Sequence, residues 1–217
     1  LTLFSFALRA QEVLVLPGLP DRPALNAYWF PAQGDAPAPV VIGLHGCGGA
    51  LNKKGKLASK WFELAVWLNR EGIHFLVPES FSSRGQKSVC EIHNSKRTID
   101  ESDRRADVFA AIGWLAARPD VDARSIAVAG WSHGAQTVLK VLDRSDPFVA
   151  GQPVQPRAAV AYYPGCAASL LQPDYALTTP LLLMVGASDD WTQAAPCEAL
   201  ARHLQALPAS ASAPVTD

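Results

Sequence analysis

The chain has 217 residues, of which 49% are hydrophobic and 18% charged, and its formal net charge is −1. That length suits one domain, and a chain of this size buries about 70% of its unfolded surface. The balance excludes a disordered chain and the basic footprint of a nucleic-acid binder, and no stretch approaches the ~18 apolar residues of a membrane span.

Residues 1–10 read either as the tail of a signal peptide's apolar region or as the approach to an edge strand through 13–16. Residues 39–45 predict a buried strand that runs into the turn Gly46-Cys47-Gly48-Gly49. Lys53, Lys54, Lys56 and Lys60 around Gly55 read as a solvated loop. Trp61, Leu64, Ala65 and Leu68 fall at helical spacing, Gly72 ends that helix, and 73–78 is the next strand. Residues 79–97 are polar and aperiodic, which predicts a long loop of the functional or mobile kind.

Thr98 and Glu101 read as the capping box of a helix reaching about Ala117, buried through Val108, Ile112 and Leu115. Asp100/Arg104 and Glu101/Arg105 fall at i,i+4, so these charges are assigned only to helix stabilisation. Strands are then predicted at 125–129, 158–163 and 180–186, with helices after 134 and over 193–207. Residues 208–215, built from Pro, Ala, Ser and Val, read as a linker. Alternating strands and helices, the strands almost continuously apolar, predict one α/β domain over 1–217 with a mostly parallel sheet covered on both faces.

The sharpest local signal is Gly130-Trp131-Ser132-His133-Gly134, set between a strand and a helix. A serine raised on such a turn needs small residues two places either side, because backbone there meets backbone. A serine hydroxyl is a weak nucleophile and needs a base, a carboxylate to orient that base, and donors for the oxyanion. Ser132 is the candidate nucleophile. The candidate oxyanion donors are the N–H of His133 and that of Cys47 in the earlier turn, with Gly48 the alternative. Asp189 is the candidate carboxylate, ahead of Asp190, because it follows the serine beyond a later strand's carboxyl end.

With the stretches His45-Gly46-Cys47-Gly48-Gly49, Pro78-Glu79-Ser80-Phe81 and Asp189-Asp190-Trp191-Thr192 added, residues 38–207 resemble the dienelactone hydrolase family of the α/β-hydrolase superfamily. The resemblance implies a three-layer α/β-hydrolase fold that hydrolyses a small-molecule ester or lactone through an acyl-enzyme, with no metal and no organic cofactor. It also favours Asp189 over Asp190. Members in the strict sense carry cysteine where Ser132 stands, so a serine esterase is expected and the diene-lactone substrate is not carried over.

In that superfamily the histidine base follows the last strand, and only His203 follows Asp189 here, in the middle of a helix. The expectation is a chain truncated before the last strand and its histidine, and therefore poorly active. A non-catalytic binding protein on the same scaffold is the alternative. Cys47, Cys90, Cys166 and Cys197 lack metal-type spacing and permit three pairings or none. The resembled topology favours Cys47/Cys90 and Cys166/Cys197, which would place the protein in the periplasm or outside the cell. Arg84 is a candidate for an anionic substrate group, although a solvated loop arginine is the plainer reading. Trp131 and Trp191 are candidate pocket walls. Oligomeric state is not legible.

Overall fold

Each apolar run predicted as a strand becomes one in the computed structural model, which describes residues 11–34, 36–93 and 96–216. The described strands are β1 (Glu12–Leu16), β2 (Leu25–Phe30), β3 (Ala38–Leu44), β4 (His74–Glu79), β5 (Val121–Trp131), β6 (Ala158–Tyr162), β7 (Leu181–Met184) and β8 (Val215–Thr216). They form one sheet in the order β1-β2-β4-β3-β5-β6-β7-β8. β1 pairs antiparallel with β2, and β2 with β4, while every pairing from β4 onward is parallel. The helices are α1 (Ser59–Arg70), α2 (Glu101–Ala116), α3 (His133–Val141), α4 (Pro147–Ala150), α5 (Ala167–Leu170) and α6 (Ala194–Ala206).

Two apolar layers hold the sheet. On one face Trp61, Ala65 and Leu68 of α1 pack against Phe30, Phe75 and Val77. The other carries the larger core, in which Val108, Ile112 and Leu115 of α2, Val138 and Leu139 of α3 and Leu200 and Leu204 of α6 meet Val40, Ile42, Val128 and Leu183. All of β4 is buried, as a strand covered on both faces requires.

Several expectations are corrected. Strand β7 is not covered on both faces. Leu181 and Leu183 are buried, but Leu182 and Met184, pointing the other way, are 40% and 45% exposed. Residues 208–215 are no linker: the Leu181 N–H donates to Pro214 O at 3.0 Å, Ser212 is buried with its hydroxyl accepting from Leu177 N–H at 3.0 Å, and Val215 pairs with Leu181 in β8.

The cap of α2 is Asp100 rather than Thr98. Its carboxylate accepts from Ser102 N–H at 2.8 Å and Asp103 N–H at 2.9 Å, and the Asp103 carboxylate accepts from Asp100 N–H at 3.2 Å. Thr98 lies two residues too early to reach those donors. Strand β2 was not anticipated. It pairs with β1 through 13–16, the edge-strand alternative, while residues 1–10 lie outside the described residues.

Candidate active site

Strand β5 ends at Trp131 and α3 begins at His133, so Ser132 alone makes the junction, with φ 54° and ψ −120°. That left-handed backbone is costly for a residue with a Cβ. It is held from both sides: Ser132 N–H donates to Tyr162 O at 3.0 Å, and Gln136 N–H donates to Ser132 O at 2.9 Å. The flanking glycines have no room to be anything else. A Cβ on Gly130 would lie 2.3 Å from Gly134 O, and one on Gly134 would lie 2.2 Å from Leu44 O.

The Gly46–Gly49 turn closes with Gly49 N–H donating to Gly46 O at 3.2 Å, and it abuts the elbow. A Cβ on Gly46 would sit 3.3 Å from Trp131 O and 3.5 Å from the Ser132 Cβ. Cys47 is fixed by its disulfide to Cys90 and by Val89 N–H, which donates to its carbonyl at 2.8 Å. His133 opens α3, where an N–H has no acceptor within the helix. Cys47, Ser132 and His133 line one cavity of about 340 Å³, with Trp191 and Thr192 at its far side. A larger cavity of about 430 Å³ lies beyond Gly48, against Glu79 and Lys87, and Ser132 does not line it.

The Asp189 carboxylate is aligned by its own turn. One oxygen accepts from Trp191 N–H at 2.9 Å and Thr192 N–H at 2.8 Å, and the other accepts from the Thr192 hydroxyl at 2.8 Å. Those bonds, from Thr192 first and then Trp191, lower its pKa below the ordinary carboxylate value. The residues that brace Asp189 are thus the residues that border the Ser132 cavity.

Of the histidines, only His133 lines that cavity among the described residues. It is no base. Arg104 Nη1 donates to its Nδ1 at 2.6 Å, and burial, then Arg104 and Arg97, lower its pKa to about 3. Its other nitrogen, Nε2, therefore carries the proton. Glu101 Oε1 lies 3.3 Å away but out of line for a hydrogen bond. His45 is also buried and neutral. Its Nδ1 donates to Gly46 O at 2.9 Å and its Nε2 accepts from Ser80 N–H at 3.3 Å, with burial first and Arg104 second holding its pKa well below 6.5. His74 accepts from Ala32 N–H at 2.8 Å and packs on Trp29. His203 is exposed on α6 and lines a different cavity, beside Arg144 and Tyr175.

Arg84 is neither solvated nor turned toward the cavity. Its guanidinium forks onto the buried Asp107 at 2.7 and 3.0 Å and also donates to Ser80 O at 2.7 Å, so both terminal nitrogens are already engaged. Trp131 stacks on Tyr162 at 5.1 Å and meets Trp61 edge-on, whereas Trp191 is 81% exposed at the cavity rim. Both favoured disulfides are present, Cys47–Cys90 and Cys166–Cys197. Residues 79–93 are consequently pinned, with Phe81, Val89 and Ile99 forming a small core of their own.

The residue missed from the sequence is Arg104, which is 1% exposed. The expected Asp100/Arg104 and Glu101/Arg105 pairs do not form, because Arg104 turns inward to His133 and His45 and Arg105 pairs with Asp146. The signal was there: Arg104 stands four residues before Val108 on the stripe that continues through Ile112 and Leu115.

Comparison with solved structures supports the same fold. A candidate dienelactone hydrolase from Klebsiella pneumoniae superposes with TM-score 0.69 at 21% identity, covering 95% of this chain and 84% of that one. Esterase 2 of Thermogutta terrifontis gives 0.65 at 15% identity, covering 98% and 84%. A dienelactone hydrolase-like promiscuous phosphotriesterase from metagenomic libraries gives 0.63 at 20%, covering 88% and 75%. No curated protein matches the sequence. The sequence model of the dienelactone hydrolase family matches residues 25–212, and the chain therefore belongs to that family, with the α/β-hydrolase fold.

Proposed function

We propose that the protein is a serine hydrolase of carboxylic esters or lactones that works through an acyl-enzyme on Ser132. The observation that carries this reading is the strained Ser132 backbone, φ 54° and ψ −120°, at the wall of a cavity shared with Cys47 and His133. A fold keeps such strain where the side chain it presents is used. In the first step the Ser132 hydroxyl adds to the carbonyl carbon, and the new oxyanion is taken by the N–H groups of Cys47 and His133. The tetrahedral intermediate then collapses, expelling the alcohol and leaving the acyl group on Ser132. Water hydrolyses that ester.

Asp189 is the carboxylate that would orient a histidine base; His45, His74 and His133 are held by other partners and His203 lines a different cavity, which supports a chain working without its own base. Acylation is therefore expected to be slow, at the residual level left by an oxyanion hole and binding, about 10³- to 10⁴-fold over water. Added imidazole offers a direct test. With p-nitrophenyl acetate, imidazole should accelerate acetylation of this chain well beyond its effect on Ser132→Ala. Equal rates for the two proteins would remove the nucleophile and favour a binding protein on this scaffold. The two disulfides also support a periplasmic or extracellular site of action, since such bonds persist in oxidising compartments. Thiol alkylation of unreduced protein from its native compartment checks this, and four reactive thiols would contradict it.

A further inference from the structure

We propose that Arg104 is a positioning residue which fixes the two oxyanion donors relative to each other, an inference that rests on the function proposed above. The donors come from segments far apart in sequence: Cys47 from the turn after β3, and His133 from the start of α3. Arg104 reaches both from a third element, α2. Its Nη2 donates to His45 O at 2.7 Å, two residues before Cys47, and its Nη1 donates to His133 Nδ1 at 2.6 Å. One rigid guanidinium thus spans the gap between the turn and the elbow.

The surroundings match that task and no cheaper one. Arg104 is buried, its charge is opposed by desolvation, and its Nε has no partner, so as mere core filling it is a poor choice. Asp107, Glu101 and Glu79 supply the compensating negative charge, and the guanidinium carbon lies 5.3 Å over the Phe81 ring. The carbonyl it holds, His45 O, is also one that the elbow meets directly: a Cβ on Gly134 would lie 2.6 Å from it. Downstream, Cys47 is held by Cys90. The chain entering the turn is therefore fixed at His45 by Arg104 and at Cys47 by the disulfide.

The planar fork matters more than the charge. A lysine ammonium is a point charge on a flexible stem and does not reproduce two diverging N–H groups in one plane. Because the guanidinium can only donate, its bond to Nδ1 also keeps His133 in the Nε2–H tautomer.

The test is phosphonylation of Ser132 by a fluorophosphonate, run throughout at one fixed concentration of added imidazole as the external base, a reaction that also develops negative charge on an oxygen the two N–H groups can bind. For Arg104→Lys, the limiting rate should fall at least tenfold, the half-saturating probe concentration should stay within about twofold, and millimolar guanidinium should restore part of the rate to Arg104→Ala. Arg124→Lys, at an exposed site, should match the unaltered protein. An Arg104→Lys variant that reacts at the unaltered rate overturns the proposal, as does a loss confined to half-saturation.

Should both Arg104 variants fail to fold, imidazole ¹⁵N NMR of the unaltered protein decides. His133 as the Nε2–H tautomer at pH 7 supports the clamp, and His133 as the Nδ1–H tautomer overturns it. If the unaltered protein takes no label at Ser132, the proposed function itself fails and the clamp falls with it. Labelling with no effect at Arg104 rejects the clamp alone.

Discussion

At the scale of single residues the site is a set of conformations that other groups enforce. Ser132 occupies a backbone region that glycine enters without penalty, so Ser132→Gly should relieve strain on the order of 1 kcal/mol relative to Ser132→Ala. In thermal melts the glycine variant is expected about 2–4 °C above the alanine variant, with neither reacting at position 132. Equal melting of the two would deny the strain.

His45 and His133 carry a pH prediction. Burial, with Arg104 as the second cause, holds both neutral far below 6.5, His133 at about 3. The unfolded chain binds protons on these rings once the pH falls through about 6.5, while the folded chain does not. This contribution to stability is therefore intact above pH 6.5 and is lost progressively as the pH falls below it, for His133 down to about 3 and by up to about 1.4 kcal/mol per pH unit, with His45 adding in the same direction. Urea midpoints should decline across that window, and His133→Gln should flatten the decline. Midpoints that do not change between pH 7 and pH 4.5 would contradict the assignment.

At the scale of elements, the strand-turn-helix around Ser132 was legible because its constraint is local. Gly130 and Gly134 are demanded by contacts only a few residues away in sequence or in the adjoining strand end. The cap of α2 was misplaced because Thr98 and Asp100 offer similar chemistry, and only the loop path decides between them. Arg104 was misread because its partners, His45 and His133, lie 59 and 29 residues away in sequence, and an i,i+4 rule sees only the helix itself. Arg84 escaped for the same reason, since Asp107 stands on α2.

The disulfides act between elements. Each closes a loop, of separation 43 for Cys47–Cys90 and 31 for Cys166–Cys197, and each should contribute about 2–4 kcal/mol. Their effects on chemistry should differ. Cys47→Ala/Cys90→Ala is expected to slow modification of Ser132 severalfold beyond Cys166→Ala/Cys197→Ala, because only the first bond holds the turn that carries the proposed oxyanion donor. Similar slowing in both double variants would assign the bonds to stability alone.

At the scale of the molecule, the parallel order and the elbow at the carboxyl end of β5 place Ser132, the Gly46–Gly49 turn and Asp189 along one rim of the sheet. That arrangement followed from the spacing of apolar runs. The added β1–β2 ribbon did not, because β2 is short and mixed in character and gains its burial only by pairing with β4. The bare face at Leu182 and Met184 was equally invisible, since an apolar strand reads alike whether one face or both are covered. All functional expectations converge on one hydroxyl. The decisive measurement is peptide mass spectrometry after prolonged exposure to a fluorophosphonate with imidazole added as the external base: the adduct should lie on Ser132 and vanish in Ser132→Ala, whereas an unmodified Ser132, or label spread over other serines, would contradict the account.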